Sequence, residues 1–175
     1  MAGVIGPIIA DSLSLGLGYA ERMLKGVTAE TFGRFASPGG VVVTSNHAAF
    51  CYGHLSLYAP RILEQLGRPD ASLALPAGFE QAFSKDATCV DDPEGTIYPA
   101  MEEVTEFFFR GYRAALEGLR SAPDEVFLQQ NPMEGRMREL FPTLGSMQGF
   151  YVGGHLMMHL GQVSAWRRMF GLPAA

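Results

Sequence analysis

His155 and His159 stand four residues apart in Gly154-His155-Leu156-Met157-Met158-His159-Leu160-Gly161-Gln162, a stretch that reads as helix. That spacing brings two imidazoles to one helix face, about one turn apart. It is the arrangement by which a single helix offers two nitrogens to a divalent metal. The chain has four histidines. One of them, His54 in Gly53-His54-Leu55, is placed on an earlier helix from which it can supply a third nitrogen across a core. Neutral imidazoles suit zinc, nickel, iron or copper, and three protein ligands leave coordination positions open to water or substrate. An open sphere marks a catalytic rather than a structural ion.

The remaining polar groups are weaker candidates. His47 lies roughly 10 Å along a helix axis from His54 and reads as an N-terminal helix residue or a group lining the site entrance. Cys51, one turn before His54, could reach the same ion, but a small buried apolar role is the more ordinary one. Gln162, one turn after His159, could orient an imidazole or pair with a neighbouring helix end. Gln148, Tyr151, Ser56, Tyr58 and Glu64 are the other groups able to back a ligand. Leu156 occupies the place of the glutamate in an HExxH metalloprotease, which excludes that chemistry. Asp91-Asp92-Pro93-Glu94 reads as a solvated turn. Gly149, Gly153, Gly154 and Gly161 read as points of close helix approach or cavity space.

Four long helices must carry these groups. The first runs from about Ile8 to Lys25 on a stripe of Ile9, Leu13, Leu17, Ala20 and Met23, despite Gly16 and Gly18. The second opens at Ser45 or Asn46, kinks at Pro60 and ends at Leu66 before Gly67. The third spans Pro99 to Ser121, and the fourth runs from a Thr143 cap to Phe170 before Gly171-Leu172-Pro173. Short helical turns fit Ala29 to Phe35, Ala77 to Phe83 and Glu134 to Leu140. Val41-Val42-Val43-Thr44 is strand-like without an evident partner and reads as an extended approach. The expectation is a single all-α domain over residues 1–175, a four-helix bundle with a long crossover through residues 67–98.

Composition narrows the class. Apolar residues make up 47% and charged residues 18%, as in a globular chain. A net charge of −5 with scattered Lys and Arg argues against a nucleic-acid partner. Cys51 and Cys89 do not make a disulfide framework, and no Lys or Arg precedes Arg22 to open a signal peptide. Asp11 and the interspersed Gly and Ser break the first apolar run, so no membrane span is read. A soluble cytoplasmic protein is expected.

Asn46-His47-Ala48-Ala49-Phe50 with Gly53-His54-Leu55, and the His155–Gln162 stretch followed by Trp166-Arg167-Arg168 and Gly171-Leu172-Pro173, resemble the DinB-like superfamily of bacterial four-helix-bundle metalloproteins. The match covers the second and fourth helices at residue level and the whole chain in length and element order. The resemblance implies His54, His155 and His159 as ligands of a divalent ion. Nickel or zinc is foremost, with iron or manganese as alternatives. It also implies a homodimer and a small-molecule substrate, handled by a transferase or isomerase that uses a low-molecular-weight thiol, whereas an ion that activates a bound water would make the chain a hydrolase. The chain carries no recognisable thiol-binding motif, and its glycine-rich first helix and long 67–98 connection depart from the family pattern. The rival class is a non-catalytic metal-binding or stress-response bundle in which the ion braces the helices or is absent. A sphere closed by Cys51 would favour that rival.

Overall fold

A computed structural model describes residues 3–174, and within them the chain is all-helical, with no strand. Backbone pairing between extended segments is confined to isolated bridges, Ala36 with Val43 and Gln130 with Thr143. The Val43 N–H donates to the Ala36 carbonyl at 2.9 Å, so the strand-like valine run does have a partner, for one residue. No helix of the described residues is long and apolar enough to cross a membrane.

Helix α1 (Ile5–Met23) begins earlier than its apolar stripe suggests. The Asp124 carboxylate, distant in sequence, accepts from the Val4 and Ile5 N–H groups, both at 2.9 Å. It satisfies donors that a helix leaves orphaned at its start. Pro7 costs nothing there, because its missing N–H lies in the first turn. Asp124→Ala should therefore destabilise the protein by about 1 kcal/mol, the usual cost of losing a cap. A urea unfolding curve identical to wild type would reject that role.

The glycines that weaken α1 locally are there for contact. A Cβ on Gly6 would run into the Leu119 carbonyl oxygen, and one on Gly16 into the Leu156 side chain. At its other end, α1 is closed by a buried cation: Arg167, 2% exposed, donates from Nη1 to the Met23 carbonyl at 2.8 Å and from Nη2 to the Pro173 carbonyl at 3.1 Å. Carbonyl oxygens and the negative end of a helix suit a guanidinium with no carboxylate beside it.

After the short α2 (Ala29–Phe32), the expected second helix is two helices, α3 (Ala48–Ser56) and α4 (Tyr58–Gln65). Pro60 has no N–H to offer the Ser56 carbonyl, and its ring crowds that carbonyl. The break falls at Leu57, whose N–H turns back to the His54 carbonyl at 3.2 Å. Neither Ser45 nor Asn46 caps α3. His47 does, with Nδ1 accepting from the Phe50 N–H at 3.2 Å. Beyond α4, Gly67 adopts a φ of 70°, which lets the Arg68 N–H close back on the Leu63 carbonyl at 2.8 Å.

The connection holds α5 (Phe79–Phe83) and leads to α6 (Met101–Ser121), which starts two residues past Pro99. Then come α7 (Asp124–Phe127), α8 (Arg136–Leu140) and α9 (Leu144–Gly149), the last capped by Thr143 accepting from the Ser146 N–H at 3.2 Å. The expected fourth helix is not uniformly α. A π-helical segment, Phe150–His155, separates α9 from α10 (Leu156–Met169).

Packing seams form a closed ring: α1 against α6, α6 against α3 and α4, α3 against α10, and α10 with the π segment against α1. Buried hydroxyls tie the ring together. Tyr52 donates to the Ala20 carbonyl at 2.6 Å and Tyr112 to the Leu55 carbonyl at 3.1 Å.

Candidate metal centre

Helix α3 is buried at every one of its residues, so a histidine there is held on all sides. His54 lies in its last turn, just before the Pro60-induced break. Gly53 beside it is required by a close approach: a Cβ would overlap the Phe83 ring. The missing side chain lets the end of α5 settle onto α3, and this sets the Phe83 carbonyl 2.8 Å from His54 Nδ1. A carbonyl can only accept, so Nδ1 carries the proton and Nε2 is bare.

His159 is fixed by the same logic with a different partner. Its Nδ1 is 2.8 Å from Gln162 Oε1, one turn on, leaving Nε2 bare. Gln162 Oε1 also accepts from Asn46 Nδ2 at 3.2 Å and from the Cys51 thiol at 3.6 Å. One amide oxygen thus joins α3, the residue leading into it and α10.

His155, at the end of the π segment, points its Nε2 at both: 3.3 Å from His54 Nε2 and 3.2 Å from His159 Nε2. The three residues are all buried, and among the described residues they form the one group of His, Cys, Asp or Glu placed to share an ion. Nitrogens on a tetrahedral ion with bonds of 2.0–2.1 Å are about 3.3 Å apart. These spacings match that edge and lie at or beyond the long limit of a good N–H hydrogen bond. Three buried histidines are therefore close enough to hold a metal ion.

Electrostatics agree. Burial pushes the pKa of His54 and of His159 below the ordinary histidine value, and burial with the two neighbouring imidazoles takes His155 down to about 3. All three are neutral near pH 7, the state in which imidazole ligates. His155 Nδ1 is buried with no hydrogen-bond partner. Without a cation, an Nε2–H on His155 could serve one of the two bare nitrogens facing it, and the Tyr58 hydroxyl, 3.4 Å away, could serve that of His54.

The site opens to a cavity of about 370 Å³ lined by Asn46, Phe50, Tyr58, Ser84, Lys85 and Met158 together with the three histidines. Tyr58, one turn after His54 and just past the break, brings its hydroxyl to 3.4 Å from His54 Nε2, with its ring centroid 4.5 Å from that of His155. No family model, curated protein or solved structure matches this chain.

The other sequence candidates fall outside the centre. His47 is fully buried but does not line the entrance: its Nε2–H donates to the Val90 carbonyl at 2.9 Å, fastening the 86–98 loop to α3. Cys51 is fully enclosed, and burial drives its thiol far above the usual range, so it packs as a small apolar group with a weak S–H donor. Ser56 donates to the Tyr52 carbonyl at 2.7 Å and Glu64 is exposed. Gln148, fully buried, pairs with Gln65 at 2.7 Å. The Asp91-Asp92 turn is not merely solvated. Asp91 takes Arg34 at 2.9 Å and the Phe35 N–H at 2.6 Å, while buried Asp92 accepts from the Thr96, Ile97 and Tyr98 N–H groups. Nor do all the glycines of the last helix serve close approach, since a Cβ at Gly149 or Gly161 would meet nothing within 4 Å.

Gln162→Leu keeps the helix and removes the acceptor that holds the His159 ring. Zinc affinity should fall roughly 10- to 100-fold, the usual effect of losing a ligand's partner. Equal zinc affinity in a competition titration with a chromophoric chelator would show that Gln162 does not orient His159.

Proposed function

We propose that this chain is a metal-dependent enzyme of the DinB-like type, a four-helix bundle with a long crossover through residues 67–98. In this reading His54, His155 and His159 hold one divalent ion, and the adjoining cavity admits a small-molecule substrate. The observation that carries the reading is the convergence of three buried Nε2 atoms, two of them with their protons committed to the far side of the ring. Zinc and nickel, both of which take neutral imidazole, are the foremost ions in this reading, with iron or manganese as alternatives.

When bound, the ion would act as a Lewis acid on a donor atom entering from the cavity. The histidines hold it, Gln162 and the Phe83 carbonyl fix two of the rings, and Phe50 and Met158 add apolar surface to the lining. No Asp or Glu lines this cavity. Glu80 and Asp86 line an adjoining crevice of about 100 Å³ that shares His54, Tyr58, Ser84 and Lys85 with the cavity, and they are paired with Arg61 at 3.5 Å and Lys85 at 3.0 Å. The walls thus lack a carboxylate to take a proton from attacking water, which favours the thiol-dependent transferase over the hydrolase. We further propose a cytoplasmic protein, from its two unpaired cysteines, and a homodimer, in line with the same resemblance.

Elemental analysis of untagged protein purified without chelators tests the reading. About one zinc or nickel per chain is expected, lost in His155→Ala. Absence of metal in the wild type after incubation with zinc, nickel, iron and manganese would refute it.

A further inference from the structure

Among the described residues, Tyr58 is the one side chain besides the three histidines whose polar atom comes as near as 3.4 Å to a ligand nitrogen of the triad. Its hydroxyl is 3.4 Å from His54 Nε2, about the separation of the histidine nitrogens from one another, so it borders the point on which they converge. Its position in the chain and the packing of its ring put it there. It follows the Leu57 break by one residue, precedes Pro60 by two, and its ring is clamped between His155 at 4.5 Å and Tyr151 at 5.0 Å, with the Arg61 guanidinium 5.5 Å from the ring centre. The lone pair of His54 Nε2, if committed to an ion, cannot accept from Tyr58, and the hydroxyl proton then needs another acceptor.

The rest of the cavity indicates which acceptor. Its polar walls are Asn46, Ser84, Lys85 and Tyr58, all able to donate, and the carboxylates beside them, Glu80 and Asp86 in the adjoining crevice, are paired with Arg61 at 3.5 Å and Lys85 at 3.0 Å. With a divalent cation on neutral imidazoles, the pocket is electropositive in a chain of net charge −5. A cationic guest, or a neutral one with no acceptor beside the ion, would leave the Tyr58 hydroxyl facing no acceptor, at a cost in desolvation. An anion satisfies both the ion and the donors.

We infer that the centre binds a small anionic ligand at its open coordination position and that the Tyr58 hydroxyl donates a hydrogen bond to the coordinated anion. This rests on the metal-centre reading above and adds the class of ligand and the residue that selects it. The hydroxyl stays protonated throughout; no proton is transferred.

The test uses the cobalt-loaded full chain, whose visible spectrum reports changes at the ion. Azide serves as the anionic probe and imidazole as the neutral one, titrated into wild type, Tyr58→Phe and Tyr58→Met. The two variants delete the hydroxyl with different side chains, so a folding defect in one leaves the other to decide. Azide affinity should fall about tenfold or more in both, as expected for loss of a hydrogen bond to a charged acceptor. Imidazole affinity and cobalt stoichiometry should not change, because coordinated imidazole presents no acceptor to Tyr58. Unchanged azide affinity, or equal loss for both probes, overturns the role of Tyr58. Loss of cobalt from the variants overturns it in favour of direct ligation. Failure of the wild type to take up cobalt at all overturns the metal-centre reading instead.

Discussion

His155→Leu is expected to abolish zinc binding and, at the same time, to make the metal-free protein more stable by about 1 kcal/mol or more. The two effects have one cause. Metal-free, His155 is a buried imidazole whose Nδ1 has no partner and whose other nitrogen faces two more imidazoles. Replacing such a group by an apolar one of similar size removes an uncompensated desolvation cost, which runs to about 1–3 kcal/mol. Leucine fills most of the volume against Tyr58 and Phe150, so the cavity cost is small. Binding would let the wild type recover the deficit: zinc at a hundred times its dissociation constant would add about 2.7 kcal/mol to the folded state. Urea unfolding with and without zinc reads both effects. A metal-free variant clearly weaker than the metal-free wild type would show that the triad is ordinary core.

The same imbalance gives a pH dependence of definite sign. In the unfolded chain a histidine titrates near 6.5, whereas folded, metal-free His155 is held down to about 3. Between those values the unfolded state binds the extra proton, so stability is full above 6.5 and is lost progressively as pH falls toward 3. His155→Leu should flatten that decline. Calorimetric zinc titrations at pH 7.5 in buffers of different ionisation enthalpy should show little proton release, because the three imidazoles are already neutral.

How far this centre could be read from the chain alone depended on the kind of contact. His155, His159 and Gln162 are neighbours on one helix turn, and such spacings survive into structure because they are local. Tyr58, four residues after His54, was accessible by the same rule even though the chain breaks between them. The Phe83 carbonyl was not. A backbone acceptor has no residue identity, so nothing in the sequence marks the partner of His54, and the glycine that admits it signals only low helix propensity. The remote caps of α1, by Asp124 and Arg167, were hidden likewise by distance along the chain. The π segment before His155 was missed because an apolar pattern is nearly unchanged when one turn widens. His47 shows the opposite error: a general preference for Ser and Asn at helix starts favoured its two neighbours, while the imidazole reached the Phe50 N–H.

Gly53 couples fold to site most tightly, and Gly53→Ala should both destabilise the protein and loosen the metal. Two terms oppose each other. In a helix, alanine is better than glycine by up to about 1 kcal/mol. Against this, the new methyl meets the Phe83 ring, which is fully buried and boxed by Phe79, Tyr98 and Phe50 at centroid distances of 5.3, 5.6 and 6.5 Å. A ring so confined cannot swing clear, and overpacking of this kind costs about 1–3 kcal/mol. The clash should win by about 1–2 kcal/mol. Any shift of Phe83 also moves the carbonyl that holds His54 Nδ1, so zinc affinity should drop roughly 10-fold or more. Gly161→Ala separates the terms, since it sits in α10 with nothing near its Cβ and should gain stability without altering zinc binding. Combining Gly53→Ala with Phe83→Leu should restore part of the lost stability by freeing space. Zinc affinity should recover with it if the carbonyl returns to His54, and equal losses in the single and double variants would mean that the methyl acts through α3 itself rather than through Phe83.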